Sequence, residues 1–252
     1  MAAFFVNCRF TLILFMKNAF FSFLLLICVH VVHAQPTFGF HANGIAATTE
    51  QEGDEMEEFP GVEPKSRYSW KIGVTAMVPL TESISFMPQL NVLSKGNKYD
   101  ESGSENIFGE TFSYDIKATT KLSYLELPLN FVYNHTLTSG SLFIGAGPSI
   151  SYGLGGDIDL KYTITIDNET DSGSESANVK FDGKKSDEAD DDNYHLKALE
   201  IGANFIAGYR FNNGLFIQGT YNLGLNDIDP NDNSKVKNRY FGIGIGYFLP
   251  RR

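Results

Sequence analysis

Three charged residues stand apart from the rest of this 252-residue chain. Lys71, Glu126 and Glu200 each sit among small polar residues in segments where large apolar side chains alternate with small or polar ones. An ammonium flanked by two carboxylates can do proton transfer, or it can act as a packed ionic plug. Isolated buried charge is costly, so such groups must pair or neutralise one another. Counting back from the short turns puts the three at similar heights on strands two, four and six. Lys71 is therefore expected between Glu126 and Glu200. Asn91 and Asn222 come out near the same level, with His41 a little lower. A structural role is favoured over catalysis, since ion-pair networks can mimic functional sites.

A second group of residues could hold a cation. The stretch "KKSDEADDDNYH" brings together Asp187, Glu188, Asp190, Asp191 and Asp192, and "NDIDPNDN" adds Asp227, Asp229 and Asp232. Seven acids and no base lie between Glu50 and Glu63. Loop carboxylates suit Ca²⁺, but none of these stretches has the spacing and glycine of an EF-hand loop. They are expected to form a solvated, repulsive outer surface that binds divalent ions weakly, for example in bridges to lipopolysaccharide phosphates. His195 beside Asp192 and a loop serine could be drawn as a hydrolytic group, but no nucleophile stands in a recognisable motif, and geometry is what identifies a triad. No Walker loop, dinucleotide fingerprint or zinc spacing is present. The glycines of "GAGPS" and "GIGIG" alternate within strands, so they fill space rather than cradle phosphate. No catalytic residue, cofactor or tightly bound metal is expected.

The elements that would position these residues share a period of two, the signature of strands with unlike faces. In "YSWKIGVTAMVPL", Tyr68, Trp70, Ile72, Val74 and Ala76 fall on one side and Ser69, Lys71, Gly73 and Thr75 on the other. The same holds in "SISFMPQLNV", "YLELPLNFVY", "LFIGAGPSISYG", "LKALEIGANFIAGYRF", "LFIQGTYNLGL", the opening "FGFHANGIA" and the closing "FGIGIGYFL". That makes eight strands. Short connections at 79–83, 135–140 and 211–214 alternate with long polar ones at 48–67, 96–121, 155–194 and 227–238.

Periodicity alone leaves the inward face open, since a soluble lipocalin-like carrier would bury the same apolar side. The polar face decides it. A soluble exterior should be rich in Lys, Glu, Arg and Asp. Here that face is mostly Gly, Ser, Thr, Asn and Gln, which suits the crowded lumen of a narrow barrel. The expected fold is all-β, an eight-stranded antiparallel up-and-down transmembrane β-barrel. Its short turns are periplasmic and its long loops external, and its closed sheet leaves no backbone group unpaired in lipid.

Residues 1–34 read as a secretory signal: Lys17, an apolar run from Phe20 to Val32, and Val32-His33-Ala34 before Gln35, with Met16 as an alternative start. Its removal takes away both cysteines, Cys8 and Cys28, and two bases but no acid, moving the net charge from −10 to −12. Residues 35–252 would then be one outer-membrane barrel domain without thiol chemistry. So acidic a chain is a poor nucleic-acid binder.

The segments "YLELPLNFVY", "FIGAGPSISYGLGG", "GYRFNNGLFIQGTYNLGLNDI" and "KNRYFGIGIGYFL" together resemble the PorT-like outer-membrane β-barrel proteins of Gram-negative bacteria, over nearly the whole of residues 35–252. The resemblance implies a small eight-stranded barrel in a family most of whose members have no assigned activity. Members usually end at an aromatic residue that the assembly machinery is thought to read. Here Leu249 holds that position and Pro250-Arg251-Arg252 follow. The expected role is a surface barrel without catalysis, in contact with outer-membrane lipid and lipopolysaccharide and with an unidentified extracellular or envelope protein. The alternatives are a lipid-modifying barrel enzyme and a soluble carrier of an apolar ligand.

Overall fold

The computed structural model describes residues 35–53, 64–107, 110–167, 169–185 and 192–250. The expected signal, residues 1–34, lies outside them. The described residues form eleven strands in one sheet: β1 (Thr37–Gly53), β2 (Lys65–Pro79), β3 (Ile84–Lys95), β4 (Asn97–Ile107), β5 (Glu110–Leu137), β6 (Gly140–Ile166), β7 (Glu169–Lys180), β8 (Tyr194–His195), β9 (Leu199–Phe211), β10 (Leu215–Gly224) and β11 (Ser234–Phe248). All neighbours are antiparallel except β7 and β8.

Eight of these strands close on themselves. Pairing runs β1–β2–β3–β5–β6–β9–β10–β11, and β11 returns to β1 from Gly39↔Phe248 to Gly53↔Ser234. The ring thus has no open edge. Its outward positions carry no charge from Tyr68 to Ala76 on β2, from Leu125 to Tyr133 on β5, or from Phe241 on β11 to Leu249 just past its end. Trp70, Ile72, Val74 and Ile243 are exposed there, as is Ile144 on β6. Each run has about the 9–11 residues that a tilted strand needs to cross a membrane. Tyr68 and Tyr152 stand at one margin of the apolar band and Tyr133 and Tyr209 at the other.

Inward glycines make room for amide side chains. A Cβ on Gly244 would lie 1.8 Å from Asn43 Oδ1, and one on Gly73 would lie 2.2 Å from Asn91 Oδ1. The alternating glycines of the last strand therefore face the lumen because side chains from neighbouring strands occupy that space.

The long connections differ from the sequence expectation. Residues 96–121 and 155–194 were expected as loops, but much of each is paired strand. β4 pairs with β5 from Lys98↔Thr119 to Ile107↔Glu110, and β6 pairs with β7 from Gly156↔Val179 to Ile166↔Glu169. β5 has 28 residues and β6 has 27, far more than a crossing requires. Their distal halves form a four-stranded sheet, β4–β5–β6–β7, that stands beyond the apolar band. The physical reason lies in an alternation that charged neighbours obscure: Phe112, Tyr114 and Ile116 on β5 share a face with Ile166, Ile164 and Tyr162 on β6. A register shift at Ser123/Tyr124, with Gly155 at φ +147°, marks where the sheet leaves the ring.

Candidate functional site

The ring interior is layered. At the short-turn end Met77, Met87, Val132, Phe143, Phe216 and Phe248 form an apolar cluster. Arg210 joins it there, its guanidinium 5.9 Å from the Phe248 ring centroid and Nη1 3.1 Å from Met77 Sδ. At the opposite end Ile45, Leu93, Leu122 and Tyr124 from the ring pack with Val179, Leu196 and Ile228 from the connections. Between these apolar layers lies a belt of buried polar residues.

Strand alternation supplies the belt. His41 and Asn43 come from β1, Lys71 from β2, Gln89 and Asn91 from β3, and Glu126 and Asn130 from β5. Ser149 and Ser151 come from β6, Glu200 and Asn204 from β9, Gln218 and Asn222 from β10, and Asn238 and Tyr240 from β11. Amides and hydroxyls bond across the lumen: Asn204 Nδ2 donates to Asn130 Oδ1 at 2.9 Å, Asn222 Nδ2 to Ser149 Oγ at 2.8 Å, and Gln218 Nε2 to Asn43 Oδ1 at 3.0 Å. His41 Nδ1 lies 3.0 Å from Asn43 Nδ2.

The charged part of the belt contains the three residues singled out from sequence and a fourth that sequence reasoning missed. Lys71, Glu126 and Glu200 are all at most 1 % exposed. The position between the two carboxylates is held by Lys95, not Lys71. Lys95 Nζ donates to Glu200 Oε1 at 2.7 Å, lies 3.3 Å from Glu126 Oε2, and also donates to Ser151 Oγ at 3.1 Å. Its ammonium sits 4.8 Å from the Tyr124 ring centroid. Lys71 reaches Glu126 through a relay: its Nζ donates to Tyr240 Oη at 3.3 Å, and Tyr240 Oη donates to Glu126 Oε1 at 2.7 Å. Asn238 Nδ2 donates to Glu200 Oε2 at 2.7 Å. Two ammonium and two carboxylate groups thus balance within one hydrogen-bonded unit.

The expectation that Lys71 bridges the acids fails because the alternation in "SISFMPQLNV" reaches only Val92, short of Lys95. In the structure β3 runs on to Lys95, and Gln89, Asn91, Leu93 and Lys95 all point inward. The signal is in the sequence: Lys95 has the parity of Asn91 and precedes the connection that begins at residue 96.

Of the acidic cation candidates, Asp187, Glu188, Asp190 and Asp191 lie outside the described residues, and Asp192 is exposed. Among the described residues no three His, Cys, Asp or Glu side chains gather as a metal site. His195, drawn from sequence beside Asp192, has its Nδ1 2.7 Å from Asp182 Oδ1. That hydrogen bond is the main reason the Asp182 carboxyl lies below its ordinary range.

The acids of residues 227–238 build a turn. Asp227 Oδ1 accepts from the backbone N–H of Asp229 and of Val236, each at 2.9 Å, and its Oδ2 accepts from Lys197 Nζ at 2.8 Å. Between them Ile228 is fully buried in the outer apolar layer. Burial pushes the Asp227 carboxyl up, but Lys197 and the two amides outweigh it, leaving its pKa below the usual value. A carboxyl depressed on folding stabilises above its unfolded pKa of about 3.9, and that contribution disappears as pH falls through the lower folded value. Asp227→Asn is expected to loosen this turn by about 1 kcal/mol at neutral pH. Hydrogen exchange at Val236 and Asp229 should report it, with the gap to wild type closing as the pH falls below 4.

Residues 27–229 match the family model described as outer membrane protein beta-barrel domain. The chain belongs to that family. Membership gives the closed ring its meaning: it is an outer-membrane β-barrel. Among solved structures the chain is similar to Neisserial surface protein A, at 9 % identity over 85 % of this chain and 99 % of that one, with a TM-score of 0.36. It is similar to Ail of Yersinia pestis at 12 % identity, covering 84 % of this chain and 99 % of that one, with a TM-score of 0.26. For Acinetobacter baumannii CarO the identity is 11 %, over 83 % of this chain and 97 % of that one, with a TM-score of 0.33. Identity this low carries no role across. The comparison with curated proteins finds no match.

Proposed function

We propose that the chain is an eight-stranded transmembrane barrel with a sealed lumen, and that it serves as a rigid, non-catalytic base for an external binding surface. Within its family we place it among the PorT-like proteins, on the four segments quoted above. The observation that carries this reading is the filling of the ring. Apolar side chains close it at both ends, and a charge-balanced belt occupies the middle. A barrel packed this way supports no diffusive channel, while β5 and β6 raise a structured sheet well past the bilayer. Trp70, Ile72, Val74, Ile144 and Ile243, exposed on the outer face, favour a lipid environment over a soluble carrier. Outer-membrane lipid is the partner of that face, and an envelope or extracellular component is the partner of the sheet.

Two measurements test it. Purified barrel in planar bilayers is expected to give no steady conductance; stable open-channel currents would overturn the sealed lumen. In whole cells, a tag at Gly183, which is exposed at φ +70°, should be labelled by an impermeant reagent. A tag at Asn213, in the short turn between β9 and β10, should not. The reverse pattern would invert the orientation.

A further inference from the structure

β4, β5, β6 and β7 stand beyond the apolar band as a single layer of sheet, and its two faces are unlike. On one face, short polar side chains bond to one another. Ser104 Oγ lies 3.0 Å from Ser113 Oγ, Thr165 Oγ1 lies 3.0 Å from Thr170 Oγ1, and Ser176 Oγ donates to Asp159 Oδ1 at 3.0 Å. That face suits water. The other face carries Phe112, Tyr114 and Ile116 on β5 beside Ile166, Ile164 and Tyr162 on β6. Ile116 is 38 % exposed and Ile166 47 % exposed, and the other four are partly exposed. A contiguous apolar stripe outside the bilayer marks an interaction surface.

The outer strands frame the stripe with acid. Glu101 and Glu105 on β4 pair with Ile116 and Phe112, and Glu169, Asp171 and Glu175 on β7 pair with Ile166, Ile164 and Leu160. By the same parity, no base falls on this face among the described residues of the four strands. Gly103 and Gly173 lie between the acids, and the tyrosine rings reach over them. A Cβ on Gly103 would lie 2.7 Å from the Tyr114 ring, and one on Gly173 would lie 2.5 Å from the Tyr162 hydroxyl. Neighbouring strands are ~4.8 Å apart, so the two acid rows stand about 14 Å from each other. From Phe112 to Ala118 the stripe runs about 20 Å at the rise of a strand. Such a trough fits one α-helix, which is about 10–12 Å across and covers that length in ~14 residues. The helix would rest an apolar edge on the stripe and reach the acids with bases on both flanks. Other occupants meet like charge. A second copy docked face to face would set acid rows against acid rows, and the chain's own stretch from Glu50 to Glu63 has seven acids and no base. We propose that this face docks a basic amphipathic helix of an envelope or extracellular protein, with Lys or Arg on either side of its apolar edge. The proposal rests on the reading of this sheet as the binding surface and adds the chemistry of its partner.

The test uses the full-length barrel in phosphatidylcholine nanodiscs, with empty nanodiscs as the blank. The probe is a fluorescent leucine–lysine helix of about four turns, its leucines along one edge. The comparators are the same helix with glutamate for lysine, and oligolysine without leucine. Anisotropy should show the leucine–lysine helix bound above the blank and both comparators at least about tenfold weaker. The combined variant Glu105→Gln, Glu169→Gln, Asp171→Asn and Glu175→Gln should weaken the helix at least about tenfold at low salt and flatten its salt dependence. Ile116→Ser with Ile164→Ser should weaken it while the salt dependence stays. Ser113→Ala with Thr165→Ala, on the opposite face, should bind as wild type does. A photoreactive group on the leucine edge should cross-link to Tyr114 or Tyr162 of the unaltered barrel, a readout that needs no variant to fold. The proposal is overturned if the helix binds no better than to the blank, if either comparator matches it, if the amide variant keeps wild-type affinity, or if the cross-links fall elsewhere. It is also overturned if the barrel forms dimers that Ile116→Ser with Ile164→Ser abolishes, which would assign the face to a second copy. Bilayer conductance and labelling at Gly183 are untouched by these outcomes, so failure of the docking face is distinct from failure of the sealed, outward-facing barrel.

Discussion

A chain lacking residues 241–249 is expected to be absent from the membrane fraction and to lose the gel-mobility change between unheated and boiled samples. These residues complete the ring on two sides at once. β11 pairs with β1 as far as Gly39↔Phe248 and with β10 as far as Leu215↔Tyr247. Without them, long stretches of β1 and β10 face hydrocarbon with unbonded N–H and C=O groups, at several kcal/mol each. A handful of such groups exceeds the whole stability of an ordinary domain, about 5–15 kcal/mol. The deletion also takes Phe248 out of the lower apolar layer. Removing only residues 250–252 should have no such effect. The last backbone bond of the closing strand region is Leu249 N–H to Phe38 O, at 2.8 Å, and it survives that truncation. Wild-type membrane levels of the longer deletion would contradict closure of the ring in lipid.

The parts of this fold that the sequence makes legible are those where one face must be apolar throughout. From Tyr68 to Ala76 and from Phe241 to Leu249 every outward residue meets the same medium, so the period of two is strict and strand identity follows. Turns are legible where their chemistry is local, as at Asn212-Asn213-Gly214, with Gly214 at φ +92°. Beyond the membrane margin both faces of a strand can meet water, and the constraint relaxes. Glu101, Glu105 and Asp115 then read as loop although β4 and β5 pair across them. The bridging role of Lys95 is hard to read for a different reason: its strand ends just before Gly96, where parity has few neighbours to confirm it. What periodicity does give for the belt is height. Inward positions at equal distance from the short turns do meet across the lumen, as Asn130 and Asn204 do.

Lys95→Met should be the most damaging single substitution in the belt, costing about 3–5 kcal/mol in unfolding from detergent or lipid. It removes the only ammonium within 4 Å of Glu126 and Glu200 among the described residues. Two carboxylates then remain in a site where neither is more than 1 % exposed, and water cannot replace the lost partner. Lys71→Met should cost less, about 1–3 kcal/mol, since Lys71 touches the Tyr240 hydroxyl and ring rather than a carboxylate. Tyr240 can still donate to Glu126 after that change. The double variant Lys95→Met with Glu200→Gln discriminates charge from packing. It removes one base and one acid, leaving Lys71 and Glu126 linked through Tyr240, while the new amide can still accept from Asn238. Replacing both members of a buried pair is commonly near neutral, whereas removing one is not. The double variant should therefore recover more than half of the stability lost in Lys95→Met alone. Equal losses for Lys95→Met and Lys71→Met would remove Lys95 from its bridging role. A double variant no better than the single one would mean that the volume of the Lys95 side chain matters more than its charge.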